Sequence, residues 1–227
     1  MCEVVSLGCT REETAYHEAG HAAIELMHGH TPQLVIVKDR SGVISGDCFT
    51  DAPVDSKTAA WRGEKAVAGV LAQAHYVASL SLDSRKLIVP STVLGTLVDF
   101  FLASPTTTRS CVMSLTTADS KQCCQVNLCG YYSSLDYQHF RIAVVTMTEE
   151  RMPAKKFING REPECRSAAE ECISNCLEIF NDTLVWQRLT CLAEAILKSM
   201  RVTAHIFNRE EIKEAWEATI GVSAGAL

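Results

Sequence analysis

Positive charge is scarce in this chain. Its 227 residues carry 21 Lys and Arg against 27 Asp and Glu, a formal net charge of −6 at pH 7. Nucleic acids are poor partners for such a surface, because phosphate binding needs clustered cations and no run of Lys or Arg supplies them. A clean apolar run of membrane-spanning length is also missing. The most hydrophobic stretch, LIVPSTVLGTLVDFFLA at 87–103, is broken by Pro90, Gly95 and Asp99 and falls short of the about 20 apolar residues that a helical span requires. The start, MCEVVSLGCTREE, has neither a basic segment nor a long apolar core, so it does not read as a signal peptide. These absences point to a cytoplasmic protein that engages neither nucleic acid nor membrane. Repeats and low-complexity linkers are absent too. With 47% hydrophobic and 21% charged residues, the composition is that of an ordinary globular chain, long enough for one domain over 1–227.

Cysteine is in excess, with 11 residues, yet no repeated C-x2-C pair occurs. A zinc cluster at Cys123, Cys124 and Cys129, or one including Cys172 and Cys176, is one reading of them. The favoured reading is reduced, mostly buried thiols serving as small apolar side chains, since a domain of this size needs no disulfides to hold a core.

Apolar periodicity places a helix over 12–28, where Ala15, Ala19, Ala22, Ala23 and Leu26 recur at helical spacing and Gly29 is positioned to end it. QLVIVKD at 33–39 and VISGDCF at 43–49 read as two strands joined at Ser41–Gly42. A second helix, rich in Ala and Val, spans 57–80, and another starts after Pro90. Thr, Ser and Cys dominate 104–134, which reads as loop with at most a short strand. Helices are expected over 135–150, 164–180 and 183–200, the last capped by Asp182 or Thr183. Asn208 with Glu211 suits a capping box for a final helix over 209–218. The fold class is therefore mainly α with a small β-sheet (α+β), with a core over 11–150 and C-terminal helices over 163–220.

The stretch TAYHEAGHAAIELMHGH at 14–30 holds four histidines: His17, His21, His28 and His30. On a helix, residues four apart share a face. His17 and His21 can therefore offer ring nitrogens to one ion about 2.0–2.1 Å away. Glu18 is turned aside by about 100°, away from the ion but within reach of a water beside it. That is the division of labour in an HExxH motif: two ligands, and a carboxylate that takes the water's proton. The alternative is a pair of satisfied helix-surface histidines. His28 lies about 10.5 Å along the axis from His21, too far to share an ion. With His30 it reads as a helix-end residue beside the negative end of the helix dipole.

With its flanks, TAYHEAGHAAIELMHG resembles the zinc site of the FtsH-type proteases, membrane-bound metallopeptidases coupled to an AAA ATPase. The strand pair containing Gly42 and Gly46 and the Ala-rich segment 64–80 are similar to the segments C-terminal to that site in the family. The likeness is close over 14–50 and looser over 64–80 and 130–147. It implies a zincin-like arrangement of HExxH helix and short hairpin, one Zn2+ per chain, and Glu18 as the general base. It also implies that His17 and His21 are joined by an aspartate near the start of a later helix. GYYSSLDYQHFRIAV at 130–144 fits that description and makes Asp136 the third ligand, with Asp119 and Glu64 as alternatives. His139 is then either an outer partner of the site or a surface residue.

The sequence departs from that family in lacking any G-x-x-x-x-G-K-[ST] nucleotide cradle, and HEAGH begins too near its start for an ATPase domain before it. The expectation is a zinc metalloendopeptidase that acts without ATP on unfolded or flexible polypeptides, alone, as a homo-oligomer or beside a separate ATPase partner. Two other readings stand with it. One is a catalytically silent zinc-binding adaptor or regulator with a protease-like fold; the other is a cysteine-rich metal-handling protein with two or more zinc ions.

Overall fold

Small side chains set the spacing at the centre of the fold. The computed structural model describes residues 3–8, 10–40, 43–51, 53–82, 87–103, 111–117, 121–128, 134–151, 163–199 and 205–218. Helix α1 (Arg11–Met27) begins where the Thr10 hydroxyl accepts a hydrogen bond from the Glu13 N–H at 3.1 Å. It ends at Gly29, whose φ of 77° is one that side chains with a Cβ disfavour. There the Gly29 N–H donates to the Leu26 carbonyl at 3.1 Å and the His30 N–H to the Glu25 carbonyl at 2.8 Å. This paired closure satisfies carbonyls that would otherwise be left open at the helix end.

Against α1 lies α2 (Ala59–Leu82). Ala15, Ala19, Ala22 and Ala23 on the first helix and Ala66, Ala68 and Ala72 on the second are all buried. The approach is tightest at Gly20, where a Cβ would stand 2.7 Å from both the Ala68 carbonyl oxygen and the Ala72 Cβ. Helix α2 is buried on nearly all sides because it also meets α4 (Ser134–Arg151) and α5 (Pro163–Asn181). Its lack of a polar face is the sequence signature of that position. The far side of α1 is covered by α6 (Thr183–Ser199), with α3 (Ser91–Leu102) against α5 and α7 (Arg209–Glu217) against α6. Asp182 is the cap of α6, its Oδ1 accepting from the N–H groups of Leu184 at 2.8 Å and Val185 at 3.0 Å. The expected capping box of Asn208 and Glu211 is present at α7.

Two small sheets flank the helices, which makes the class α+β. Three antiparallel strands form one, in the order β3 (Val43–Phe49), β2 (Leu34–Arg40), β7 (His205–Asn208). Arg40 pairs with Val43, while the expected turn residues Ser41 and Gly42 lie outside the described residues. The other sheet runs β1 (Glu3–Ser6), β6 (Cys123–Asn127), β5 (Val112–Thr117), β4 (Leu87–Ile88), with β1 parallel to β6 and the rest antiparallel.

This second sheet corrects the expectation of loop with at most one short strand over 104–134, since two strands, β5 and β6, lie there. Met113, Leu115 and Thr117 alternate inward along β5, as do Cys124 and Val126 along β6. Thr, Ser and Cys give a loop-like composition, but the period-two burial is that of strands. The cysteines follow the expectation only in part. Cys48, Cys111, Cys124, Cys165, Cys172, Cys176 and Cys191 are thiols outside any disulfide, buried or half-buried. Cys123 is instead disulfide-bonded, and its partner lies outside the described residues; a bridge depends on closeness in space, which spacing along a chain does not reveal. No helix among the described residues is long and apolar enough to cross a membrane.

Candidate metal centre

His17 and His21 stand one turn apart on α1, with their Nε2 atoms 3.1 Å from each other. Asp136 meets them from the first turn of α4. Its Oδ2 lies 3.5 Å from His17 Nε2 and its Oδ1 lies 3.6 Å from His21 Nε2. These three side chains form a group able to hold a metal ion, and among the described residues no fourth His, Cys, Asp or Glu joins them. Donors bound tetrahedrally at about 2.0–2.1 Å lie about 3.3 Å apart, so the observed separations suit one shared ion.

The other sequence candidates lie elsewhere. Glu64 Oε2 is 2.5 Å from His28 Nε2, and its Oε1 accepts from Asn175 Nδ2 at 2.9 Å. Asp119 is outside the described residues. His28 and His30 stack near Trp61, with ring centroids 6.4 Å and 4.7 Å away. His139 lines the same cavity as the triad but does not belong to the metal-binding group. Nor do Cys172 and Cys176, which are buried on α5.

The imidazoles are oriented from behind. His21 Nδ1 lies 2.7 Å from the Lys65 carbonyl oxygen, which can only accept, so Nδ1 carries the proton and Nε2 keeps its lone pair for an ion. His17 Nδ1 lies 3.3 Å from Gln73 Oε1. The orientation of Gln73 is fixed in turn by its Nε2, which donates to the Gly8 carbonyl at 3.1 Å and to Glu13 Oε2 at 2.9 Å. Gly69 leaves room for the pair, since a Cβ there would stand 2.5 Å from His21 Nε2 and 2.6 Å from His17 Nε2.

Sequence reading singled out neither Gln73 nor Gly69. The signal was present in both cases. A glycine inside an Ala/Val-rich helix costs about 1 kcal/mol relative to alanine, which asks for a close approach, and a glutamine in an apolar run asks for partners.

Glu18 is 3% exposed, and its Oε2 has no hydrogen-bond partner among the described residues. Gly46 on β3 packs against it, for a Cβ there would fall 2.3 Å from Glu18 Cγ. Burial raises the Glu18 pKa, with His17 and His21 pulling the other way. Burial also pushes Asp136 upward, yet the neighbouring His21 and His17 imidazoles hold it well below the ordinary carboxylate range. His21 is pushed down by burial and carried above its ordinary value by Asp136. The cluster therefore favours positive charge at its centre, which suits a cation. In front of it opens a cavity of about 450 Å³, walled by the triad, Glu18, residues 46–49 of β3, and Arg62 and Lys65 of α2.

Compared with family models, curated proteins and solved structures, the chain finds no match. Its functional reading therefore rests on its own residues.

Proposed function

We propose that this chain is a zinc-dependent peptidase in which His17, His21 and Asp136 hold the ion and Glu18 moves the proton. The observation that supports this most is a coincidence on one cavity wall. A three-donor group stands beside a buried carboxylate with an unpartnered oxygen. Two imidazoles and one carboxylate form a donor set that suits zinc, and three protein ligands are the number found in catalytic rather than structural zinc sites. When bound, such an ion supplies Lewis-acid chemistry, making water more acidic and a peptide carbonyl more electrophilic.

The residues of the chain do the rest. Glu18, its proton affinity raised by burial, accepts a proton from water and passes it to the leaving amine nitrogen. The Lys65 carbonyl and Gln73 hold the two rings in the tautomer that leaves Nε2 free. Strand β3 has β2 on one side only among the described residues, and its residues 46–49 line the cavity. Its outer edge offers backbone groups to an extended polypeptide, as β-augmentation requires. A substrate that reaches this edge without an unfolding motor is a flexible or unfolded chain.

Metal analysis combined with cleavage of casein by wild type and Glu18→Gln tests the proposal. Both proteins should carry one zinc per chain, and the variant should lose at least about 10²-fold in rate, the lower end of a general-base contribution. Equal rates would remove Glu18 from the mechanism. A wild type that binds zinc and cuts nothing would replace the peptidase with a zinc-binding adaptor.

A further inference from the structure

Arg62 has no role in the proton transfer or in holding the ion, yet it lines the cavity beside the triad while only 8% exposed. Its Nε is buried without a hydrogen-bond partner, and among the described residues its guanidinium makes no ion pair. Glu25 is the main anionic influence on it, but that carboxylate is already paired with Lys65, whose Nζ also donates to the Cys48 carbonyl at 2.9 Å. Trp61 holds the guanidinium in place, with Arg62 Cζ 5.5 Å from its ring centroid. A guanidinium cannot shed its charge at any ordinary pH. Burying one without a counterion is costly, so its retention on a cavity wall points to an anion that arrives with the ligand.

We propose that Arg62 binds a carboxylate of the substrate, so that the preferred polypeptide carries one within two residues of the bond to be cut. The planar fork of the guanidinium matches a carboxylate with two parallel hydrogen bonds. The distance comes from size. Arg62 shares with the triad a cavity of about 450 Å³, a span on the order of 10 Å that an extended chain crosses in about three residues. Three carboxylates share the wall with it, Glu18, Asp47 and Asp136, and among the described residues none makes an ion pair with Arg62; the Glu25–Lys65 pair is neutral as a unit. Two sources share this chemistry: an acidic side chain near the scissile bond and the carboxylate at the end of the polypeptide.

The inference rests on the peptidase reading, and the test separates the two. Zinc-loaded wild type is given amidated peptides with Glu or Gln at each position flanking the cut. A second set has neutral side chains and ends, one or two residues past the cut, in a free carboxylate or an amide. One carboxylate set should be cleaved about 10- to 100-fold better than its neutral twin, the range expected for hydrogen bonds to a charged group. The set that shows the preference names the source. Arg62→Met should bring that ratio close to one, and Arg62→Lys should keep part of it. Equal cleavage of all twins by wild type, or an unchanged ratio in Arg62→Met with zinc retained, would overturn the proposal. If wild type cuts no peptide, the peptidase reading fails by itself. Calorimetric binding of the same peptides to zinc-loaded Glu18→Gln, with and without Arg62→Lys, then decides. A carboxylate preference weakened by Arg62→Lys supports the role of Arg62, and indifference to the carboxylate overturns it.

Discussion

At Gly69 a single methyl group decides whether two imidazoles can converge. Alanine is the better helix former, so Gly69→Ala should keep α2 intact by circular dichroism. Its Cβ would press on both Nε2 atoms, and those rings are the movable partners. Zinc affinity, measured with a competing chelator, should fall by at least the about 10- to 100-fold typical of a lost outer partner. Gln73→Leu should show that smaller loss directly, because His17 Nδ1 would lose its contact with Gln73 Oε1. His28→Ala should behave in the opposite way. It leaves Glu64, a 3%-exposed side chain, with Asn175 as its hydrogen-bond partner, so stability should drop by about 1–3 kcal/mol. Zinc content should stay at the wild-type level, and zinc loss equal to that of His21→Ala would remove the assignment of the triad.

Two helical glycines separate packing from propensity at the scale of the element. Gly20 lies where α1 and α2 are closest, and a Cβ would meet backbone at the Ala68 carbonyl 2.7 Å away. Backbone cannot swing aside as a side chain can. Gly20→Ala should therefore force the helices apart and cost about 1–3 kcal/mol in chemical denaturation. Gly95, inside α3, has nothing within 4 Å of its would-be Cβ and is exposed. Gly95→Ala should stabilise the protein by about 0.5–1 kcal/mol, through the lost backbone freedom of the unfolded chain. A lower melting temperature for Gly95→Ala would contradict the placement of α3.

For the whole molecule, acid sensitivity is expected from a residue remote from the candidate metal centre. His75 on α2 is 5% exposed, neither ring nitrogen has a hydrogen-bond partner among the described residues, and its ring centroid lies 3.9 Å from that of Trp186 on α6. Burial pushes its pKa from 6.5 down to about 4. Between those values the unfolded chain binds the proton and the folded chain does not, so stability falls as pH drops from about 6.5 to 4. At about 1.4 kcal/mol per unit, the loss is on the order of 3 kcal/mol. Urea midpoints measured at pH 7.5 and 5 should show about 2 kcal/mol of it, and His75→Phe should flatten the slope. A slope unchanged in His75→Phe would place the acid-sensitive group elsewhere. Metal removal acts on the whole fold by a different route. With the proposed ion bound, the triad would tie α1 to α4, so chelation should lower the melting temperature to the extent that the ion binds the folded state alone.

Features under local control were legible in the chain before any fold was known. Alanine spacing and Gly29 defined α1, Asn208 with Glu211 defined the start of α7, and the four-residue step put His17 and His21 on one face with Glu18 turned aside. These depend on backbone geometry within a turn or two, which neighbouring residues specify. Packing in three dimensions was needed to bring Asp136 to the two imidazoles, to take Glu64 away to His28 and Asn175, and to set Gly69, Gly46 and Gln73 around the site. It also turned a Thr- and Cys-rich stretch into β5 and β6, antiparallel to each other, and set β6 parallel to β1 far earlier in the chain, a pairing that no local pattern announces. Such contacts join segments far apart in the chain. Their energy comes from burial and donor pairing in space, and side-chain periodicity carries information about only one of the two partners.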